Sequence, residues 1–233
     1  MKLHVENLSK RYGDKVVLKD VSYTFESGKI YGLIGRNGAG KTTFFNCLNQ
    51  DILCNGGKAY LDGDFGKDLL DPKDIGYVLS TPIVPEFLTA REFLKFYLDI
   101  HKDKEYKSLD EYFDLVKISK EDQNKLLRDY SHGMKNKMQL LIHIVSNPKV
   151  ILLDEPLTSL DIVVQDEMKN LLRELKKDHI IIFSTHILEL ALDLCDEITI
   201  LNNKSLEKVE KNNLNTKKYK DKIIKILKEE KND

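Results

Sequence analysis

The 233-residue sequence has no tryptophan, five prolines and three cysteines. Cys47, Cys54 and Cys195 form no CxxC pair, and such a sparse, odd set fits a reducing compartment better than a disulfide framework. The opening segment has no apolar signal core, and no apolar run approaches the roughly 18 residues of a membrane span. The sequence therefore predicts a chain that does not cross a membrane by itself. It also shows no repeat and no Pro-rich linker, which argues against solenoids and propellers.

A strong excess of one charge is also missing. Lys and Arg number 37 against 38 for Asp and Glu, which leaves a net charge of -1. We therefore expect no nucleic-acid partner, because such binders usually carry an overall or clustered basic charge. The segment 206–233 is the exception, since it is rich in lysine. Its isoleucines near 223–227 favour a solvated terminal helix, with a basic docking tail as the alternative.

Short apolar runs alternate with segments of helical spacing along most of the chain. Strands are predicted at 2–8, 15–25, 29–34, 57–62, 75–79, 150–153, 180–183 and 197–201. Helices are predicted at 41–49, 134–146, 157–177 and 187–194, and residues 89–131 have helical spacing throughout. This alternation predicts an α/β fold with a buried, mainly parallel sheet, an antiparallel β lobe and an α-helical lobe at about 82–145.

The most specific motif begins at Gly35 and reads Gly-Arg-Asn-Gly-Ala-Gly-Lys-Thr. It satisfies the pattern G-x-x-x-x-G-K-[ST] between a predicted strand and a predicted helix. Glycines let backbone N–H groups form a concave nest for polyphosphate, and the helix N-terminus adds a favourable dipole. In this P-loop, Lys41 is expected to bind the β- and γ-phosphates, and the Thr42 hydroxyl is expected to bind Mg²⁺.

Two further motifs follow predicted strands. The strand 150–153 delivers Asp154 and Glu155 to its carboxyl end, where ligands of such sheets bind. Asp154 is interpreted as a Mg²⁺ ligand and Glu155 as the general base that activates water. His186 follows the strand 180–183 and is placed to reach a γ-phosphate or the attacking water. Ser131 and Gly133 open a helix, where they favour an anion.

The order of these motifs resembles the ATP-binding subunit of an ABC transporter over residues 1–205. The resemblance makes Tyr12 the aromatic that stacks on adenine, and it makes Asp154 and Glu155 the Walker B acid and the catalytic glutamate. Asp161 matches the D-loop and His186 the H-loop, while Ser131, His132, Gly133 and Met134 match the signature. The matching Walker A loop comprises Gly35, Arg36, Asn37, Gly38, Ala39, Gly40, Lys41, Thr42 and Thr43.

The resemblance also implies partners and a mechanism. Two chains would pair head to tail around two ATP molecules with Mg²⁺, so that Ser131 and Gly133 of one copy complete the site of the other. The helical lobe would contact a membrane permease, which places the subunit in the cytoplasm, peripheral on the inner face of the cell membrane. The Ser-His-Gly-Met-Lys signature resembles subunits of exporters for drugs, antibiotics or peptides.

The sequence departs from the family pattern at the Q-loop, where Ser80 replaces the expected glutamine. The signature also begins with Tyr130 instead of leucine and carries His132 in place of a glycine. A soluble ABC ATPase that acts on the ribosome or DNA remains the alternative function. A P-loop kinase or GTPase, and a binding role without catalysis, are further alternatives.

Overall fold

The computed structural model describes residues 1–63, 66–101, 107–158, 160–209 and Ile223, without the side chains of residues 63 and 66–68. The described strands are β1 (Lys2–Tyr12), β2 (Lys15–Glu26), β3 (Ile30–Ile34), β4 (Gly56–Gly63), β5 (Gly66–Leu69), β6 (Ile75–Val78), β7 (Val150–Asp154), β8 (Ile180–Thr185), β9 (Glu197–Asn202) and β10 (Ser205–Val209). The described α-helices are α1 (Lys41–Leu48), α2 (Ala90–Ile100), α3 (Leu109–Leu115), α4 (His132–Ser146), α5 (Ile162–Leu175) and α6 (Leu188–Leu194).

A six-stranded sheet in the order β10-β9-β3-β8-β7-β6 forms the centre of the fold. Its strands are parallel except β10, which pairs with β9 in the antiparallel direction. Along β7, Ile151 and Leu153 pack into one core cluster while Val150 and Leu152 pack into the other. Both faces of the strand are therefore covered, which explains its continuous apolar sequence.

A four-stranded antiparallel sheet in the order β2-β1-β4-β5 packs over one face of the central sheet. Helix α1 belongs to the same core, because Phe44, Phe45 and Leu48 are buried with residues of both sheets. This packing fixes the helix that follows the P-loop against two layers. The N-terminus of α1 therefore has a rigid support.

The helical lobe packs its apolar side chains against the opposite face of the central sheet. Helix α2 begins with a capping box in which the Thr89 side chain accepts from the Glu92 N–H and the Glu92 carboxylate accepts from the Thr89 N–H. Helix α3 begins with the equivalent pair of Ser108 and Glu111. These reciprocal bonds satisfy N–H groups that a helix start leaves unpaired.

The predicted fold class is confirmed, with differences at particular elements. The helix predicted at 157–177 begins only at Ile162, because Asp161 caps it through a bond from the Val164 N–H. The described part of the segment 89–131 contains α2, α3 and short 3₁₀ turns. Strands β5 and β10 were not predicted. The proposed terminal helix lies outside the described residues except for Ile223, which is buried.

None of the helices in the described part of the chain combines the length and the hydropathy needed to span a bilayer.

Candidate active site

The P-loop connects the end of β3 to the start of α1. Gly40 has φ 107°, and a Cβ at this position would lie 2.9 Å from the Cγ1 atom of Val17. Gly38 also has a positive φ, 82°, in open surroundings. Both positions need the conformational freedom of glycine, and at Gly40 the absence of a side chain also permits close packing. The motif thus folds as the loop that the sequence predicted.

The side chain of Lys41 stabilises this loop through hydrogen bonds to its backbone. Its buried ammonium donates to the carbonyl oxygens of Gly35 and Arg36 at 2.8 and 3.2 Å. Its third contact is an ion pair with Glu155 Oε1 at 3.2 Å. The three donors of the ammonium are therefore all engaged. A phosphate that binds Lys41 must replace or share one of these contacts.

The loop borders a cavity of about 460 Å³. Of the predicted site residues, those on its wall are Tyr12, Arg36, Asn37, Gly38, Gly40, Lys41, Thr42, Thr43, Asp154 and Glu155. Gly35 and Ala39 lie within the loop without lining the cavity, and the Ala39 N–H bonds to the Arg36 carbonyl at 3.1 Å. Tyr12 is half exposed, with Lys10 Nζ 4.8 Å from its ring centroid. Sequence reasoning missed Lys15 and Val17, which also line the cavity and belong to no motif.

Asp154 is buried at the carboxyl end of β7. Its Oδ2 atom accepts from the Thr42 hydroxyl at 2.7 Å, and its Oδ1 atom accepts from the Ser184 hydroxyl at 2.5 Å. No described residue forms an ion pair with this carboxylate. A buried carboxylate without a counter-charge is unfavourable unless a cation binds. One carboxylate and one hydroxyl beside a phosphate loop are ligands that suit Mg²⁺, which completes its shell with phosphate oxygens and water.

Ser184 is a site residue that the sequence motifs did not assign. Strand pairing places it directly beside Asp154 in the parallel register of β7 and β8. Its only sequence signal was its position two residues before His186. Because the contact depends on register between distant segments, spacing within one motif does not reveal it.

Glu155 is held by contacts from three directions. Its backbone has φ 49°, and its N–H bonds to the Ser184 carbonyl and hydroxyl at 3.2 and 3.1 Å. Its Oε1 faces Lys41, while Oε2 lies 2.8 Å from Nδ1 of His186. A non-glycine residue in the left-handed region is uncommon and often marks a functional position. The geometry unites the predicted base, the predicted switch histidine and the P-loop lysine.

The signature residues and the D-loop aspartate lie elsewhere. Ser131 caps α4 by accepting from the Met134 N–H at 3.2 Å. Gly133 packs against the start of α5, since a Cβ there would lie 3.1 Å from Val164 Cγ1 and 3.3 Å from Leu160 Cδ2. Asp161 caps α5, so the signature and the D-loop are neighbours. None of Ser131, Gly133 and Asp161 lines the cavity.

Comparison with known proteins identifies the class. The sequence profile of the ABC transporter family matches residues 18–158, more than half of the chain. The chain therefore belongs to the ABC transporter family. It is an ATP-binding subunit of that family, and its reaction is ATP hydrolysis.

Curated relatives support this assignment. The chain is 35% identical to an uncharacterized ABC transporter ATP-binding protein, MJ1023, of Methanocaldococcus jannaschii, over 86% of this chain and 74% of that protein. It is 30% identical to the bacitracin transport ATP-binding protein BcrA of Enterococcus faecalis, over 85% of this chain and 66% of that protein. The aligned region thus covers about two thirds to three quarters of these relatives.

Solved structures share the fold. The solved structure of an ATP-binding subunit of an ABC transporter has a TM-score of 0.82 at 25% identity, and the alignment covers 98% of this chain and 100% of that one. The cassette MJ0796, solved as a dimer with ADP and Pi, has a TM-score of 0.74 at 23% identity, covering 89% and 99%. At that identity, the second likeness shows the fold alone.

Proposed function

We propose that the chain acts as one of two identical subunits that bind and hydrolyse ATP to power a membrane permease. The observation that carries this proposal is the separation of two half-sites. The P-loop, Asp154 and Glu155 line one cavity, whereas Ser131 and Gly133 lie outside it. A second copy in head-to-tail orientation would bring its Ser131 and Gly133 to the γ-phosphate. The cassette MJ0796, which shares the fold, was solved as a dimer, and this supports the pairing of two copies.

Residues of the cavity, and His186 beside it, have distinct proposed roles in hydrolysis. Tyr12 stacks on adenine, and the P-loop N–H groups and Lys41 hold the phosphates. Thr42 and Asp154 would hold Mg²⁺, which would supply positive charge to neutralise the phosphates. Glu155 accepts a proton from the attacking water, and His186 holds the Glu155 carboxylate and reaches toward the γ-phosphate. Hydrolysis removes the bridging phosphate, which loosens the dimer.

The helical lobe offers a surface for the permease. Phe96 and Ile100 are spaced by one helical turn on α2 and are 58 and 60% exposed. Ile83 and Phe87, in the loop before α2, are 72 and 79% exposed. Large exposed apolar side chains favour contact with another protein. A permease partner implies a cytoplasmic subunit, peripheral on the inner face of the cell membrane.

The proposed cargo is a drug, an antibiotic or a peptide that is exported. Support comes from the name of BcrA, a bacitracin transport protein. Specificity for cargo would lie in the permease rather than in this chain. A soluble ABC ATPase that acts on the ribosome or DNA is the competing function.

Purification from native membranes tests the partner. The tagged wild-type chain, extracted in mild detergent, should recover a protein with several membrane spans in near-stoichiometric amount. A Phe87→Ser/Phe96→Ser variant should lose that partner and keep its ATP affinity. The control Leu53→Ser, at an 88% exposed apolar side chain between α1 and β4, should keep the partner. Recovery of ribosomes or DNA instead of a membrane protein would refute the transport role and leave the ATPase assignment unchanged.

A further inference from the structure

Tyr77 is a buried residue beside the magnesium ligand that the mechanism above does not use. It lies on β6, where it pairs with Leu152 of β7, two residues before Asp154. Its ring packs edge-on against Phe45 of α1, with the ring centroids 5.9 Å apart. The residue is only 8% exposed. Its side chain therefore lies in the core between the central sheet and the helix that follows the P-loop.

The hydroxyl of Tyr77 has no hydrogen-bond partner among the described residues. A buried polar group without a partner destabilises the folded state, and the large majority of such groups in native proteins are satisfied. Phenylalanine would fill the same space without that penalty. We therefore expect the Tyr77 hydroxyl to form a hydrogen bond in another state of the protein.

Asp154 is the acceptor that the surroundings offer. Tyr77 pairs with Leu152, and side chains two residues apart on a strand share a face, so the phenol and Asp154 lie on the same side of the sheet. The Asp154 oxygens accept from Thr42 and Ser184, and each oxygen retains a second acceptor position. Tyr77 can therefore donate to Asp154 without displacing either hydroxyl.

A hydrogen-bond donor near Asp154 is useful because of the residue at position 80, at the other end of the segment that begins at Tyr77. Ser80 lines the cavity at the position where the family pattern has a glutamine. Serine lacks the long amide that would reach toward the metal. Three residues earlier on the same segment, Tyr77 supplies a long side chain that ends in a hydroxyl.

We propose that Tyr77 is a positioning residue whose hydroxyl donates to Asp154 when Mg²⁺ and ATP occupy the cavity, which fixes the orientation of the metal-binding carboxylate. The proposal rests on the proposed function, because it requires Mg²⁺ to bind at Asp154. Groups that orient metal ligands commonly change metal affinity by about 10- to 100-fold.

A Tyr77→Phe variant tests the proposal by thermal unfolding rather than by activity. The melting temperature is measured without ligand, with ATP and EDTA, and with ATP over a Mg²⁺ titration. The ligand-free variant should be as stable as the wild type or more stable, since an unsatisfied hydroxyl is removed. The Mg²⁺ concentration that gives half of the ATP-dependent stabilisation should rise about tenfold. The effect of ATP in EDTA should not change.

Tyr31→Phe is the matched control. Tyr31 is buried in the same core, but its hydroxyl already accepts from the Glu26 N–H at 2.8 Å. This variant should lower the melting temperature and leave the Mg²⁺ requirement unchanged. The same change from tyrosine to phenylalanine should therefore alter the Mg²⁺ requirement at Tyr77 and the melting temperature at Tyr31.

The outcomes distinguish a failure of the Tyr77 role from a failure of the metal site. An unchanged Mg²⁺ requirement in Tyr77→Phe overturns the positioning role, and so does a lower ligand-free stability without a change in that requirement. If Mg²⁺ does not increase the ATP-dependent stabilisation of the wild type, the metal site fails first, and the role of Tyr77 fails with it.

Discussion

Replacement of Glu155 by glutamine separates nucleotide binding from hydrolysis. The amide keeps the shape of the side chain at a position whose φ of 49° is already supported by Ser184. It cannot accept a proton from water, however, and general-base catalysis typically contributes 10²- to 10⁴-fold. We therefore expect turnover to fall by about 10²- to 10⁴-fold, which corresponds to about 3–5 kcal/mol of lost transition-state stabilisation.

The same change should leave ATP bound. The ion pair between Glu155 and Lys41, with N and O 3.2 Å apart, competes with the phosphate for the lysine. Its loss removes a competitor, so ATP affinity should stay the same or increase. With hydrolysis blocked, ATP should accumulate between two copies and give a stable dimer.

Two measurements check this prediction. Phosphate release at saturating ATP and Mg²⁺ gives the turnover, and light scattering after size-exclusion chromatography gives the mass with and without ATP. Glu174→Gln, an exposed acid on α5, is the control and should behave as the wild type. Wild-type turnover of Glu155→Gln would refute the role as base. A monomer that has ATP bound would refute the two-copy site.

Three further changes test other parts of the structure. Burial holds the pKa of His143 below its ordinary 6.5, so the unfolded state binds more protons below that pH. The free energy of unfolding should therefore fall as the pH is lowered through about 6.5, and urea titrations of His143→Asn should show a flatter pH profile. Gly40→Ala should destabilise the fold by more than about 1 kcal/mol in urea, because φ is 107° and the new Cβ would lie 2.9 Å from Val17. Gly28→Ala, with φ 86° and open space around it, should cost less, and equal losses would argue against the steric explanation. Ile162→Asp, at a side chain 84% exposed beside Asp161, should prevent the ATP-dependent dimer of Glu155→Gln without weakening ATP binding. A dimer of undiminished mass would place the contact elsewhere.

The elements that the sequence predicted well are those whose local pattern agrees with their final surroundings. Strands β3, β7 and β8 read as continuous apolar runs because both faces of the central sheet are covered. Strand β10 reads Ser-Leu-Glu-Lys-Val and β5 reads Gly-Lys-Asp-Leu, so neither has a comparable apolar signal. Both lie at sheet edges, where pairing with one neighbour decides the structure.

The start of α5 shows a second limit of local reasoning. The segment after Pro156 has enough apolar residues to extend a helical pattern, which predicts a helix from Leu157. In the structure, Leu157 is buried in the core and Asp161 provides the cap. Aspartate is a favoured N-cap residue, so the cap at Asp161 decides where the helix begins, and apolar periodicity alone does not reveal that start.

Site residues were predictable where one contiguous motif contains the chemistry. The P-loop and the Asp154-Glu155 pair are of this kind. Contacts of Ser184 and Tyr77 depend instead on which strands are neighbours and in which register. No spacing within a single segment contains that information, and it becomes available only with the sheet order.

Local backbone geometry at the end of β7 brings the adjacent acids Asp154 and Glu155 into one site. Successive side chains of an extended strand point to opposite faces of the sheet. Regular geometry would therefore direct Asp154 and Glu155 away from each other. The left-handed backbone at Glu155 ends the strand and turns the second acid toward Lys41 and His186, while Asp154 remains with Thr42. Such a conformation costs roughly 1–2 kcal/mol for a residue with a Cβ atom. The two bonds from the Glu155 N–H to Ser184 help to offset that cost, so the serine that orients Asp154 also holds the proposed base in place.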